Sequence, residues 1–401
     1  MKGALVVARR ELGALVAAPT ALVFLLATSA LTNLSVLGME RLFDRGQADL
    51  EPLFAVLPWL GLLLLPALSM GLWSEERRTG SIELLLALPL STASLVLGKF
   101  LAALAFAGLA LVGTTGLWIS VAAFGEPDHG AIAAAYVGAL LLFAAFLALG
   151  SFVSALTRSQ ATAYVLSVAL GFLFLFGDVP AIGAALEDLA GAGAREALAG
   201  LSLSAHFEAV IRGVLGAGDL IFFLALTGLF LAATTALVEG RRADRRPRLL
   251  LAGYLVALLA VGLATPHLVG GLRLDATADG LYTLDPSTRR VARELPAGTR
   301  LELFLTEDAA AKSPRFLGFA AFVGRLAEDL ERAAGGQLEL VRRDPAPFTA
   351  ARDDALAADL TFVDLGVDGG GAELCFGAVV TGPTGGEAAI AFLSPEREQH
   401  L

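Results

Sequence analysis

The sequence predicts a multi-span α-helical membrane domain followed by an α/β domain outside the membrane. Of its 401 residues, 56% are hydrophobic and only 17% are charged, and the mean hydropathy is +0.72. Soluble globular proteins do not contain so much apolar sequence, so a membrane protein is expected. The long apolar runs end near Gly270, and the residues after it have the composition of a soluble domain. We therefore expect two domains.

Six apolar runs form the predicted membrane domain, and a seventh links it to the second domain. Each run is near the ~20 residues that a helix needs to cross the hydrocarbon core. The fifth run is the shortest. The runs cover residues 19–39, 53–73, 95–121, 131–156, 161–176, 220–238 and 249–269.

The spans define four predicted segments of the chain. These are an interfacial amphipathic helix at 1–18, the membrane domain at 19–240, a basic linker with the seventh span at 241–272, and the α/β domain at 273–401. Arg9, Arg10 and Glu11 interrupt an apolar stretch, which is typical of a helix that lies on the bilayer surface. A frayed polar start is the alternative. Between the fifth and sixth spans, residues 181–218 predict short amphipathic helices at the outer face.

The distribution of basic residues predicts a cytoplasmic N-terminus. In that orientation, twelve Lys and Arg residues lie on the cytoplasmic side and four in the short outer loops. This satisfies the positive-inside rule, and seven spans then place the α/β domain outside the cytoplasm. The twelve are Lys2, Arg9, Arg10, Arg77, Arg78, Lys99, Arg158, Arg241, Arg242, Arg245, Arg246 and Arg248, and the four are Arg41, Arg45, Arg195 and Arg212.

Charge and residue usage exclude several classes of protein. From Arg273 onward there are 21 Asp and Glu against 13 Lys and Arg, a difference of −8 within a total net charge of −10. An acidic second domain argues against nucleic-acid binding. The single cysteine, Cys375, excludes an intrachain disulfide and a cysteine-rich metal site. Without a G-x-x-x-x-G-K-[ST] motif, the chain does not bind a nucleotide in that manner.

The spans contain essentially no ionisable residues in their interiors. A proton-coupled carrier is therefore not expected, because such carriers use charged groups inside the membrane. The few polar residues are expected to form helix–helix hydrogen bonds rather than substrate contacts. They are Asn33, Ser35, Thr114, Thr115, Ser120 and Ser167.

The segment 73–90, WSEERRTGSIELLLALPL, is a charged island between the second and third spans. A simple connection between two spans needs only a few polar residues. We interpret this segment as lying at the membrane surface, with one face on lipid or protein and the other accessible to a partner. The candidate site residues are Glu75, Glu76, Arg77, Arg78, Gly80, Ser81, Glu83, Leu84 and Pro89.

Local rules predict how this segment folds. Gly80 permits a break between the charged turn and a helix at 82–88. Ser81 is a candidate N-cap, and Glu83 in the first turn suits the helix dipole. Pro89 disfavours continuation of the helix. The four charged residues before Gly80 can form ion pairs across a subunit interface. Alternatively, the segment is a solvated loop whose charges only set the topology.

Residues Glu75–Leu85, Leu88–Ser91 and Gly98–Phe100 resemble the signature of type-2 ABC exporter permeases, in which they also lie between the second and third spans. The resemblance covers about the first 240 residues. It implies a dimer of permeases in which this cytoplasmic segment couples, as a short helix, to a separate ABC ATPase subunit. It implies no cofactor, metal or catalytic residue in this chain.

An α/β layout follows the seventh span. Asp285 is expected to cap a helix that begins at Pro286 and runs to about Leu295. A β–α–β unit and a second α/β unit come after it. The predicted order is a strand at 301–305, a helix at 314–334, a strand at 338–341, a helix at 350–360, and strands at 361–365, 373–380 and 387–392.

Residues 273–288, 301–306 and Arg343-Asp344-Pro345 resemble the outer domain of the gliding-motility-type ABC transporter accessory protein. That protein has its own anchoring span, matched here by 249–269. The resemblance implies a permease fused to its accessory subunit through the basic linker. Because more sequence follows in that family, the accessory domain is expected to be shortened or truncated.

Three functions are compatible with these patterns. The first is a permease that exports its substrate across the bacterial inner membrane when a partner ATPase hydrolyses ATP. The second is a membrane-anchored assembly, motility or secretion factor that transmits ATPase motion to an extracytoplasmic partner protein without transport. The third, an integral-membrane enzyme, is disfavoured because the spans lack acid pairs, histidine clusters and nucleophile–base sets.

Overall fold

The computed structural model describes eight stretches of the chain and six further residues. The stretches are 2–39, 48–177, 200–211, 213–243, 273–276, 284–311, 314–364 and 373–394, and the six residues are 198, 253, 254, 256, 257 and 260. The chain divides into two compact units, Met1–Ala278 and Asp279–Leu401. Each unit has a hydrophobic core of its own.

Where the structure describes it, the first unit is helical apart from two short strands. Its helices in chain order are α1 (Lys2–Ala17), α2 (Pro19–Leu34, continued by a π-turn at Ser35–Met39), α3 (Glu51–Ser69), α4 (Gly71–Thr79), α5 (Ser81–Ala87), α6 (Thr92–Val112), α7 (Thr115–Phe124), α8 (His129–Leu156), α9 (Gln160–Leu175), α10 (Leu203–Ile211) and α11 (Ala217–Ala243).

Five helical segments within the described residues are long and apolar enough to cross a membrane. They are Ala21–Gly38, Glu51–Thr79, Thr92–Phe124, His129–Leu156 and Ala217–Glu239. The fifth predicted span corresponds to α9, whose 16 residues extend only ~24 Å. Most of the seventh predicted span, 249–269, falls outside the described residues. The count of six spans plus one therefore stays a prediction.

Helix α8 is the central helix of the first unit. It packs against α3, α6, α9, α10 and α11, and most of its side chains are buried. Small residues let its neighbours approach closely. A Cβ atom added at Gly150 would lie 1.9 Å from Ser69 Oγ on α3, and one added at Gly138 would lie 2.6 Å from Val210 Cγ1 on α10. The close packing of these helices therefore depends on glycine at both positions.

Polar side chains in the spans mostly bond within their own helix. Asn33, Thr115 and Ser120 each donate to the backbone carbonyl three or four residues earlier. The expected helix–helix hydrogen bond is wrong for these three because a side chain in a helix reaches its own carbonyls most easily. Thr114 differs, since its hydroxyl also lies 3.0 Å from the hydroxyl of Tyr136 on α8.

Two strands form an antiparallel ribbon within the first unit. Strand β1 (Val214–Gly216) directly precedes α11, and β2 (Arg273–Asp275) pairs with it along all three residues. The sequence predicts only helices at 181–218 and no strand there. Three-residue strands leave no detectable alternation, which explains why this pairing is missed.

The second unit is an α/β domain with a five-stranded sheet in the order β4-β3-β6-β5, with β7 also paired to β6. Strands β3 and β4 are parallel, and β6 is antiparallel to β3, β5 and β7. Its elements are α12 (Pro286–Arg293), β3 (Thr299–Leu305), α13 (Glu307–Ala311), α14 (Pro314–Ala333), β4 (Leu338–Arg343), α15 (Ala350–Ala357), β5 (Phe362–Asp364), β6 (Glu373–Thr381) and β7 (Glu387–Ile390).

The predicted α/β order is confirmed element by element, with α13 as an unexpected addition. Asp285 caps α12, since its side chain accepts a hydrogen bond of 2.7 Å from the N–H of Ser287. Helix α14 covers one face of the sheet, where Phe319 contacts Phe376. On the other face, Cys375 belongs to a core that includes Leu360.

The contact between α3 and α8 provides a stability test. We expect Gly150→Ala to lower the free energy of unfolding by about 1–3 kcal/mol. The added methyl group would occupy the position of Ser69 Oγ, and a hydrogen bond to the carbonyl of Leu65 holds that hydroxyl in place. Thermal unfolding in detergent measures the change. The double variant Ser69→Gly/Gly150→Ala should recover most of the loss.

A glycine in open space is the matched control for that substitution. A Cβ atom at Gly116 meets no atom within 4 Å, so Gly116→Ala should not lower the melting temperature. Equal melting temperatures for Gly150→Ala and the wild type would contradict the close approach of the two helices.

Burial of Cys375 predicts an unreactive thiol. Its side chain is inaccessible to solvent, and burial raises the pKa of the thiol to about 11. Since the thiolate is the nucleophile, alkylation of the native protein at pH 8 should be about 100-fold slower than alkylation of the unfolded chain. Mass spectrometry measures both rates. Ala357→Cys, at an exposed position of α15, should label rapidly in the same preparation.

Candidate functional site

Helices α4 and α5 form the charged island, and Gly80 separates them. Gly80 has a φ of +77°, a left-handed conformation that favours glycine, and it ends α4 and precedes α5. Ser81 does not cap α5 as the sequence suggests, because Gly80 occupies the N-cap position. Helix α5 ends at Ala87, and Leu88 adopts the extended conformation that a following proline favours.

Helix α4 is bound to α8 by buried hydrogen bonds around Trp73. The indole Nε1–H donates to Ser151 Oγ at 3.0 Å, and the ring is inaccessible to solvent. The backbone N–H groups of Trp73 and Ser74 both donate to Ser154 Oγ at 3.0 Å. Ser154 in turn donates to the carbonyl of Met70 at 2.8 Å. One buried serine hydroxyl therefore holds the start of α4.

Two further contacts fix α4 against the ends of α8 and α9. The guanidinium group of Arg77 donates to the backbone carbonyl of Ala155, in the last turn of α8. Such carbonyls have no partner within their own helix, so the contact satisfies an otherwise unpaired acceptor. Gln160, the first residue of α9, donates to Glu75 Oε2 at 2.8 Å. Glu75 also accepts two hydrogen bonds from Arg78 at the surface.

Glu76 connects α4 directly to α5 and α6, and through Lys99 to α1. Its Oε1 atom lies 3.0 Å from Lys99 Nζ on α6, and its Oε2 atom accepts a hydrogen bond from the hydroxyl of Ser81 on α5. Glu11 on α1 is the second carboxylate near this cation, at 3.8 Å. The Lys99 ammonium also lies 5.5 Å from the centroid of the Trp73 ring. A buried lysine therefore joins α1, α4 and α6.

The outer face of α5 is exposed and mixes apolar with acidic groups. Leu84 is 75% exposed and Leu88 is 40% exposed, and Glu83 and Pro89 are exposed beside them. On the opposite side, Ile82 is buried in a cluster with residues of α1, α4, α6, α8 and α11. Helix α5 therefore packs against the first unit through the face that carries Ile82, and its opposite face, with Leu84, is exposed to the surroundings.

The nine predicted residues divide into two groups. Glu75, Glu76 and Arg77 bind other parts of the chain and are only partly exposed, and Ser81 bonds with Glu76. Arg78, Gly80, Glu83, Leu84 and Pro89 lie on the exposed surface.

Sequence reasoning missed several residues of this site. The sequence places Lys99 only among the cytoplasmic basic residues and in the permease signature, and gives it no buried role, whereas it is buried in α6. Its position inside an apolar run was a usable signal, since an ionisable residue there has a partner in most cases. Trp73, Ser151 and Ser154 gave no such signal. Among the described residues, no group of histidine, cysteine and acidic side chains could hold a metal ion.

Comparison with protein families identifies the family to which the first unit belongs. The model of the ABC-2 family transporter protein matches residues 23–270. The model of a domain of unknown function, DUF7088, matches residues 278–381. Among curated proteins, no match to the chain is found. Because the first match covers more than half of the sequence, the chain belongs to the ABC-2 transporter family, as a membrane permease subunit that works with an ABC ATPase subunit.

Proposed function

We propose that the chain is an exporter permease whose exposed helix α5 docks on the separate ATPase subunit. The main support for this proposal is that α4 is bound to the rest of the permease whereas one face of α5 is exposed. Helix α4 is bound to α8 through Trp73, Ser154 and Arg77, whereas α5 exposes Glu83 and Leu84. A movement of the ATPase against α5 would therefore reach the central helix through α4.

The exposed face of α5 suits contact with another protein. Apolar side chains such as Leu84 and Leu88 supply the buried area of an interface, and acidic Glu83 with basic Arg78 at its rim sets specificity. Glu75, Glu76 and Arg77 then act inside the permease and not across the interface. Two copies of the permease, each docked on one ATPase, form the proposed transporter.

The proposed orientation places α5 in the cytoplasm and the second unit outside it. The positive-inside count supports this assignment. The β1–β2 ribbon is also in agreement, because its two strands lie on either side of segment 217–272 in the sequence and pair directly. Helix α11 is long enough to cross the membrane once. The chain must therefore cross the membrane again before Arg273 if the two paired strands are to lie on the same side, and the predicted span at 249–269 would be this second crossing.

The second unit is proposed as a fused accessory domain of the gliding-motility type. Its confirmed α/β order and the residues at 273–288, 301–306 and 343–345 support this assignment. In a second candidate function, the same motion remodels an extracytoplasmic partner protein of the inner-membrane complex and no substrate crosses. The presence of an α/β domain after the spans favours keeping this alternative. ATP-dependent uptake or release of a substrate in proteoliposomes separates the two functions.

A charge introduced at Leu84 tests the docking of α5. We expect Leu84→Glu to reduce co-purification of the ATPase subunit by about tenfold or more, since an interface anchor is worth at least ~2 kcal/mol. The melting temperature of the permease should stay unchanged, because Leu84 is largely exposed. Pull-down of the ATPase with tagged permease measures binding.

Leu356→Glu is the matched control, since Leu356 is also an exposed leucine on a helix, 53% exposed in the second unit. This variant should retain the ATPase. Full ATPase retention by Leu84→Glu would support the alternative in which the segment only sets the topology.

The orientation is tested with introduced cysteines. Ala87→Cys on α5 should react with a membrane-impermeant thiol reagent only after the cytoplasmic membrane is permeabilised. Ala357→Cys in the second unit should react in intact spheroplasts. Both positions are exposed, and the buried Cys375 contributes little background. Labelling of Ala87→Cys in intact spheroplasts would reverse the proposed topology.

A further inference from the structure

Among the Lys and Arg residues whose side chains the structure describes, Lys99 alone is buried. Its side chain is only 5% exposed, and it lies in the second turn of α6. A buried cation costs several kcal/mol of desolvation unless partners compensate for it. An apolar residue of similar volume would fill this site with no such cost. The charge of Lys99 therefore requires an explanation beyond packing.

The partners of Lys99 come from two different helices. Glu76 on α4 accepts its hydrogen bond at 3.0 Å, and Glu11 on α1 lies at 3.8 Å. Both carboxylates are about one-fifth exposed. The Trp73 ring, itself bound to α8, lies under the same ammonium group. One cation thus links the α4–α8 connection to α1.

Close backbone packing brings α1 to this position. A Cβ atom added at Gly98 would lie 2.6 Å from Val7 Cβ and 2.8 Å from the carbonyl oxygen of Ala4. Gly98 therefore lets α1 lie directly on α6, one residue before Lys99. Helix α1 ends at Ala17, and Pro19 begins α2. A shift of α1 is consequently transmitted to the first membrane helix with a single intervening residue.

Glu76 also connects this junction with the exposed helix. The same carboxylate that binds Lys99 through Oε1 accepts the hydroxyl of Ser81 through Oε2. Ser81 is the first residue of α5 and follows Gly80, which has the conformational freedom of a hinge. A displacement of α5 therefore acts on Glu76 directly and on Lys99 through it.

We infer that Lys99 is a positioning residue that carries movement of α5 to α1 and so to the first span. This inference rests on the proposed docking of the ATPase on α5. It defines a second route beside the neutral hydrogen bonds from α4 to α8. The first route uses Trp73 and Ser154, and the second uses the Glu76–Lys99–Glu11 ion pairs. Without the cation, α5 still moves but α1 no longer follows it.

The alternative is that the contact of Gly98 with Val7 carries the movement by packing alone. Lys99 would then only neutralise Glu76 and Glu11. The two possibilities differ in a measurable way, because substitutions of the charged groups leave the Gly98 contact in place.

Two fluorescent reporters on the complete permease–ATPase complex in nanodiscs test the inference. Ala87→Cys reports on α5, and Ala14→Cys reports on α1; both positions are exposed alanines. Each carries an environment-sensitive fluorophore, and a non-hydrolysable ATP analogue is added. In the otherwise wild-type complex, both reporters should respond. In Lys99→Met, the Ala87→Cys reporter should respond fully, while the response at Ala14→Cys should fall by about fivefold or more.

Two further variants distinguish an effect of the Lys99 charge from an effect on folding. Lys99→Arg keeps a cation and should restore the Ala14→Cys response. The triple variant Glu11→Gln/Glu76→Gln/Lys99→Met leaves no unpaired buried charge, so it should fold, bind the ATPase and still lose the response at Ala14→Cys. ATPase co-purification and melting temperature verify that the variants are assembled.

The outcomes identify which proposal fails. A full Ala14→Cys response in the triple variant, or in a well-folded Lys99→Met complex, would overturn the role of Lys99 and assign the movement to packing at Gly98. A silent Ala87→Cys reporter in the wild-type complex would instead overturn the docking of the ATPase on α5, and the inference with it.

Discussion

The attachment of α4 to the buried helix α8 is the interaction on which the charged island depends. Trp73 and Ser74 share the hydroxyl of Ser154, and the indole of Trp73 binds Ser151. In a buried, apolar environment an unpaired donor is costly, so loss of either serine hydroxyl would leave a donor of α4 unsatisfied. Their geometry fixes the start of α4, and Gly80 then ends α4 and sets the direction of α5.

This attachment separates two tasks that the sequence presents as one. The run from Glu75 to Arg78 has the appearance of a charged contact surface for another subunit. In the folded chain, Arg77 binds the last turn of α8, Glu75 binds α9 and Glu76 binds the lysine of α6. The surface that remains available is the next helix, with exposed Leu84. Three charges of α4 are bound within the chain, whereas Arg78 and the outer face of α5 are exposed.

The extent of correct prediction differs between the two units for a physical reason. In the second unit, alternation and capping are local signals, and Asp285, the strand at Thr299–Leu305 and the helix at Pro314–Ala333 follow from them. In the first unit, hydropathy locates the spans but assigns no neighbours. The hydrogen bond between Trp73 and Ser151 joins residues 78 positions apart, and the β1–β2 ribbon joins strands on either side of α11. The periodicity of hydrophobic residues in the sequence predicts neither contact.

The sequence alone therefore determined the class of the protein, the positions of most membrane helices, the break at Gly80 and the order of the α/β domain. These features depend on composition, hydropathy and short-range backbone preferences, which are properties of adjacent residues. Only the tertiary structure decided which charges are exposed and which are bound inside. Lys99 is the clearest case, because its environment is made by Glu11, Glu76 and Trp73 from helices that meet only when the chain is folded.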